Sequence, residues 1–347
     1  MINSKLKKID ILEPSHPNKS TGIINGVSSG VLNWNDIAYP SFYRTYSELL
    51  DNFWRPNEVD MKDDAKMFPK LKQSKKDVYK MQIGTLASLD TPQAQFMFLL
   101  SMYITDSAAS EIFRTIAFQE GIHNQSYSYA GASIMSLKEQ NEMFELPKRY
   151  KSVVDKNEPI MKAYYTFRDN PTPYNLVRAL VQSSILEGIN FYTGFTFFYD
   201  LKRQQEMTGT AKDISYINRD ELVHSKFVSE VLRAILGENP ELNNDEFMTY
   251  TDNAFVKGVE LEIAFARDSL SREDTDVDGS IAMINHRAYK MLKMLNADTS
   301  RFREYSENPL PWTNAYVDQF NETKADFFES KVTDYKKVGD DNGFDEL

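Results

Sequence analysis

A four-residue word occurs twice in this chain, as Glu120-Gly121-Ile122-His123 and as Glu221-Leu222-Val223-His224. In each, a glutamate is followed three residues later by a histidine. On an α-helix those two positions share a face, so each pair can close on one metal ion. The setting constrains the fold further. The helical stripe through the first word runs Phe113, Ile116, Glu120, His123, Tyr127, Ala130, and through the second Ile214, Ile217, Glu221, His224, Val228, Val231. Such i, i+3, i+4 positions face a core. A bare carboxylate there is expensive unless it is paired or bound to a metal.

Each word also has a lone acid upstream on a similar stripe, Asp90 before Glu120 and Glu187 before Glu221. The pattern of acid, helix and turn, then ExxH is therefore repeated once. Four helices would aim four carboxylates and two imidazoles at one point, the arrangement of ferritin-like dimetal carboxylate proteins. One ExxH in an acidic helical chain is more often a surface ion pair. Two copies in apolar stripes, each with its upstream acid and together using two of only four histidines, do not fit that account. The expected metal ligands are Asp90, Glu120, His123, Glu187, Glu221 and His224.

Composition narrows the function. With 347 residues the chain can bury a sizeable core. A formal net charge of −11 argues against binding a nucleic-acid backbone. There is no cysteine, so disulfides, thiolate metal sites and thiol catalysis are excluded within the chain. No uninterrupted apolar stretch approaches the roughly 18 residues of a membrane span. No apolar signal core follows Met1-Ile2-Asn3-Ser4-Lys5, so a cytoplasmic protein is expected.

Along the chain, residues 1–35 are mostly polar and carry Pro14, Pro17 and Gly26-Val27-Ser28-Ser29-Gly30; they read as an arm. Periodicity predicts a helix from about Ile37 to Asn52, ended near Pro56, and another from Lys75 to Leu89 reaching Asp90. Pro92 is expected to interrupt, with helix resuming over Gln93 to Tyr103. Further helices are expected over Thr105–Ser136, over Glu158–Arg168 with Pro159 in the first turn, and over Pro173–Gln204 carrying Glu187. The second ExxH is expected on Thr210–Leu236, stopped by Gly237. Two more are expected near Asp245–Arg267 and Ser280–Leu295. Alternating strand patterns are scarce, which predicts an all-α, ferritin-like bundle. The expected division is an arm over 1–35, a helical domain over 36–308 and a tail over 309–347. The tail's acidic end, with Phe344 and Leu347 as its apolar residues, reads either as a loose solubilising segment or as a tethered docking peptide.

Several groups near the expected ligands admit two readings. Tyr127, one turn past His123, is either a core tyrosine or a phenol oxidised by the metals. Phe191, Phe195 and Ile217 would give the dry pocket that a radical needs, or are plain core. Asp220 is either a surface acid or the acceptor that orients a ligand histidine. Gly121, Gly188 and Gly194 cost about 1 kcal/mol each in a helix interior, and serve close packing or a path for a small oxidant.

Taken together, Phe53-Trp54-Arg55-Pro56, Leu89-Asp90, Glu120-x-x-His123-x-x-x-Tyr127, Leu186-Glu187-Gly188-Ile189-Asn190-Phe191-Tyr192, Arg219-Asp220-Glu221-x-x-His224 and Asn308-Pro309-Leu310-Pro311-Trp312 resemble the small, radical-generating subunit of class I ribonucleotide reductase. The resemblance covers nearly the whole chain. It implies that Asp90, Glu120 and His123 hold one metal and Glu187, Glu221 and His224 the other, with Glu120 and Glu221 bridging. It implies a stored radical on Tyr127 and an inner relay through His123, Asp220 and Trp54. Tyr335 matches, by spacing alone, the tail residue that hands the radical on.

The resemblance further implies a homodimer and a large-subunit partner engaged by the C-terminal tail, with the ribonucleotide chemistry on that cysteine-bearing partner. The ligands suit two iron ions, two manganese ions or a mixed pair. The stretches Phe53–Pro56 and Asn308–Trp312 look like the iron-using type, whereas Phe327-Phe328 and the tail look like the manganese-using type, for which a flavodoxin-like activator is implied. The alternatives are another ferritin-like dimetal oxidase or oxygenase acting without a large subunit, and a non-enzymatic helical interaction protein.

Overall fold

A computed structural model describes residues 4–271 and 275–314. Among the described residues there is no strand, and the expected all-α bundle is what forms. The helices are α1 (Pro40–Asp51), α2 (Lys62–Met67), α3 (Gln73–Ser101), α4 (Ser107–Ile134), α5 (Leu137–Arg149), α6 (Lys151–Asp169), α7 (Pro173–Ile185), α8 (Tyr192–Arg203), α9 (Thr208–Glu238), α10 (Asp245–Leu270) and α11 (Val277–Met294). A π-turn, Leu186–Asn190, joins α7 to α8. The chain divides into two units, residues 1–309 and 310–347. In the second, the described residues hold a single 3-10 turn, Pro311–Thr313.

Local chemistry sets where these helices begin. Pro40 and Pro173 open α1 and α7, where a missing N–H costs nothing. Asp106 accepts from Ala109 N at 2.8 Å to start α4, and Ser136 forms a capping box with Glu139 to start α5. The residue before α9, Met207, offers no side-chain cap. Asp64 on α2 supplies one instead, accepting from Gly209 N at 2.9 Å and Thr210 N at 2.7 Å. A carboxylate there also meets the positive end of the helix dipole.

α3 packs along α4, and α7 and α8 along α9, so the two long ExxH helices lie at the centre of the unit. Every residue of the two predicted stripes is at most 1% exposed. The arm has no helix over its described part but is tied to the helices. Leu6 N donates to Pro171 O, Ile9 N to Met102 O, and Thr105 N to Ile23 O.

Four departures from the expected helices have physical causes. Pro92 does not interrupt: α3 runs through it. Pro92 and Ser88, whose carbonyl loses its amide donor, are both only partly buried. Pro159 likewise sits inside α6, which starts at Lys151 and not at Glu158. Gly237 does not stop α9; the helix ends at Glu238, where Asn239 precedes Pro240 and is steered out of the helical region. The single helix expected over Pro173–Gln204 is three pieces, because the π-turn inserts a residue around Glu187. The short α2 and the amphipathic α5 are additions to the expected set. Of the glycines, Gly188 and Gly194 pack against Met291 and Leu86, whereas Gly121 has open space beside it.

Candidate metal centre

Asp90 comes from α3, Glu120 and His123 from α4, Glu187 from the π-turn, and Glu221 and His224 from α9. All six meet, each at most 1% exposed. They form two overlapping quartets, Asp90–Glu120–His123–Glu221 and Glu120–Glu187–Glu221–His224. Within each quartet the donor atoms lie within 4.8 Å of one another. Glu120 and Glu221 belong to both.

Both imidazoles turn Nδ1 inward. His123 Nδ1 lies 3.1 Å from Glu221, 3.5 Å from Glu120 and 4.0 Å from Asp90. His224 Nδ1 lies 3.2 Å from Glu120, 3.4 Å from Glu221 and 3.7 Å from Glu187. The outer nitrogens are held from behind. His123 Nε2 is 3.3 Å from Asp220 Oδ2, and His224 Nε2 is 2.9 Å from Gln119 Oε1. Gln119 donates its own amide to Leu49 O at 3.0 Å, which fixes the oxygen toward the histidine. His224 Nε2 must then carry the proton, leaving the Nδ1 lone pair aimed into the cluster.

The donor set fits a pair of divalent cations. Both oxygens of Asp90, Glu120 and Glu221, one of Glu187, and both Nδ1 atoms have no hydrogen-bond partner despite burial. Uncompensated buried ions cost several kcal/mol each. Four carboxylates carry the charge that two dications would balance. Without cations, two of the acids, Asp90 and Glu187, are driven toward their protonated forms instead. Burial, then the Glu120 charge, pushes Asp90 well up; burial, then Glu221 and Glu120, does the same to Glu187. Burial alone would discharge both histidines, but the acids that surround them hold both well above their usual range.

Tyr127 is fully buried, and its hydroxyl makes no hydrogen bond of normal length. Burial, then the Asp90 and Glu221 charges, drives its pKa far up, so the phenol keeps its proton. Phe191, Phe195 and Ile217 are fully buried as well. On the other side, Trp54 Nε1 donates to Asp220 Oδ2 at 2.9 Å, so one carboxylate oxygen joins Trp54 to His123. Arg219 braces Asp220 and also donates to Asn52 O. Tyr335, Phe344 and Leu347 lie outside the described residues.

Sequence reasoning missed two groups. Gln119 immediately precedes Glu120, as Asp220 precedes Glu221, and that parallel was a usable signal. Gln93, one turn after Asp90, donates to Glu187 Oε1 and to Ser183 at 2.9 Å, and accepts from the Tyr164 hydroxyl at 2.5 Å.

The sequence profile of the family described as "Ribonucleotide reductase, small chain" matches residues 31–309. The ribonucleoside-diphosphate reductase subunit beta of Halalkalibacterium halodurans is 39% identical over 348 residues, covering 99% of either chain. That of Treponema pallidum is 28% identical over 325 residues, covering 91% of this chain and 90% of its own. The solved ribonucleotide reductase R2 subunit from Clostridium botulinum is 28% identical. It superimposes with a TM-score of 0.86 over 90% of this chain and 99% of its own. The chain belongs to the ribonucleotide reductase small-chain family.

Proposed function

We infer that this chain is the small subunit of a ribonucleoside-diphosphate reductase, making and storing a one-electron hole that a large subunit uses to reduce ribonucleotides. The observation that carries this is the pair of overlapping carboxylate–histidine quartets beside a buried tyrosine. Asp90, Glu120 and His123 would hold one ion and Glu187, Glu221 and His224 the other, with Glu120 and Glu221 between them. Hard oxygen donors with one imidazole each suit iron, manganese or a mixed pair. With manganese, a flavodoxin-like activator would be required. Once activated by an oxidant, the bound metals supply the driving force to take one electron from a phenol.

The remaining work belongs to the chain's own side chains. Tyr127 is the hole store: its side chain is fully buried, and no hydrogen bond of normal length ties its hydroxyl. Oxidation must release the phenolic proton, and Asp90 is the carboxylate that acts most strongly on that hydroxyl. The outward route runs from His123 through Asp220 to Trp54. When Trp54 gives up an electron, Asp220 Oδ2 accepts the indole proton across 2.9 Å. Tyr335 on the tail would receive the hole next, and Phe344 and Leu347 would dock the tail on the large subunit.

This chain has no cysteine, so the thiol chemistry of nucleotide reduction must sit on that partner. Residues 36–308 are taken as the ferritin-like domain and 309–347 as the docking tail. A homodimer in the cytoplasm is the proposed state; among the described residues no helix is long and apolar enough to cross a membrane. The deciding experiment mixes the metal-loaded chain with its large subunit and measures deoxyribonucleotide formation. No product, from a large subunit that is active with another small subunit, would refute the assignment.

A further inference from the structure

Glu187 alone among the six clustered residues does not stand on regular α-helix; it lies in the π-turn Leu186–Asn190. A widened turn takes backbone carbonyls off the i to i−4 ladder, and buried carbonyls need other donors. Two carbonyls of this turn find them in side chains of neighbouring helices. Lys156 on α6 donates from Nζ to Asn190 O at 3.1 Å. Arg287 on α11 donates from Nε to Gly188 O at 3.0 Å. Lys156 is itself held by Glu262 on α10 at 2.7 Å, and the other Glu262 oxygen accepts from Thr193 at 2.5 Å. α11 also presses on the turn: a Cβ at Gly188 would meet Met291 at 2.4 Å.

Lys156 and Glu262 are 2% and 0% exposed. A buried ion pair is a poor source of stability, since well-packed apolar replacements are often neutral or stabilising. What an apolar pair cannot do is donate to a backbone carbonyl at a fixed point. The carbonyls held here belong to the residue after Glu187 and to the last residue of the turn. Fixing them fixes the backbone that carries the Glu187 carboxylate.

We propose that Lys156, Glu262 and Arg287 are positioning residues, a clamp on the π-turn that sets the affinity of the metal position served by Glu187 and His224. The position served by Asp90 and His123 stands on α3 and α4 and is independent of the clamp. The proposal rests on the dimetal reading above, and its test separates the two.

Full-length chain is titrated with Mn(II) against a competing chelator, giving ions bound per chain and the dissociation constant of each. Lys156→Met with Glu262→Gln removes the charge pair without stranding either charge. Arg287→Met removes the other donor, and Arg287→Lys restores one. The expected result is one ion held as in the parent protein and one weakened about tenfold or more, the range for losing a group that supports a ligand. The same position should weaken in Glu187→Gln, and Arg287→Lys should recover it. Two ions held with unchanged constants, alongside a lowered melting temperature, would make the clamp a stability feature only and overturn the proposal. Equal weakening of both ions would overturn it too. If the double variant does not fold, the Arg287 pair decides by the same criteria. A parent protein that binds fewer than two ions would instead sink the dimetal reading.

Discussion

Gln119→Met isolates the support behind one histidine. The substitution keeps length and apolar bulk but removes the acceptor 2.9 Å from His224 Nε2 and the donor 3.0 Å from Leu49 O. Gln119, His224 and Leu49 are all at most 3% exposed, so water does not readily replace either partner. Each stranded polar group costs about 1–3 kcal/mol. The imidazole also loses the contact that selects its tautomer, so part of the population places the proton on Nδ1, where a metal must bind. Loss of such a supporting contact weakens metal binding by about 10–100-fold, or about 1.4–2.7 kcal/mol.

The measurement is a competitive Mn(II) or Fe(II) titration of parent and variant, with the melting temperature followed in parallel. One of two ions should weaken by that factor. Gln119→Glu, which keeps an acceptor and adds charge, should hold it at least as well as the parent. Affinity within about twofold of the parent at both positions would refute the argument that Gln119 sets the His224 tautomer, because the lost contacts then cost metal binding nothing.

Other expectations follow from the same geometry. Tyr127→Phe should bind both metals but show no tyrosyl signal in paramagnetic resonance after activation; an unchanged signal would place the radical elsewhere. Trp54→Phe removes the indole N–H that meets Asp220 while keeping an aromatic ring. It should retain the stored radical yet lose turnover with the large subunit, and full turnover would remove Trp54 from the route. Deleting residues after Trp312 should abolish activity with the large subunit while leaving metal binding and the radical intact, and full activity would remove the docking role. The buried Asp213 on α9 gives a pH test in metal-free protein, since burial pushes its pKa up to about 7 from an ordinary value of 3.8. A folded pKa above the unfolded one means ionisation opposes folding, with no penalty below the unfolded value and the full penalty above the folded one. The stability gained by Asp213→Asn should therefore grow by about 2 kcal/mol between about pH 5.5 and about pH 8.5, read from urea midpoints. A gain that is flat with pH would show that Asp213 ionises as freely in the fold as in the open chain.

The cluster itself was legible because charge in an apolar stripe is a strong signal. Glu120, His123, Glu221 and His224 occupy i, i+3 positions flanked by Phe113, Ile116, Ile214 and Ile217, and periodicity alone puts them inside. Asp90 and Glu187 followed from the repeat. Helix boundaries were less legible, because proline reads locally as a stop. Whether Pro92 and Pro159 break a helix depends on whether the stranded carbonyl reaches water, which only packing decides. The π-turn at Glu187 was invisible for a related reason. Leu186–Asn190 has no special composition, and the groups that accommodate it, Lys156 and Arg287, come from distant parts of the chain.

The parallel between Gln119 and Asp220 shows what the repeat encodes beyond its two ExxH words. Each sits one residue before an ExxH glutamate, rotated by about 100° around its helix. Because α4 and α9 bring their words to one cluster, each reaches the imidazole of the other word. The two braces differ in what lies behind them. Gln119 is neutral and ends on a backbone carbonyl, which can be neither oxidised nor charged. Asp220 is an acid and ends on Trp54, an oxidisable ring with a proton to give up. A repeat that is symmetric in its two ExxH words is thus asymmetric in its wiring. Of the two clustered histidines, His123 is the one whose brace leads to a redox-active side chain. Along the proposed route, that asymmetry gives the hole a single direction in which to leave.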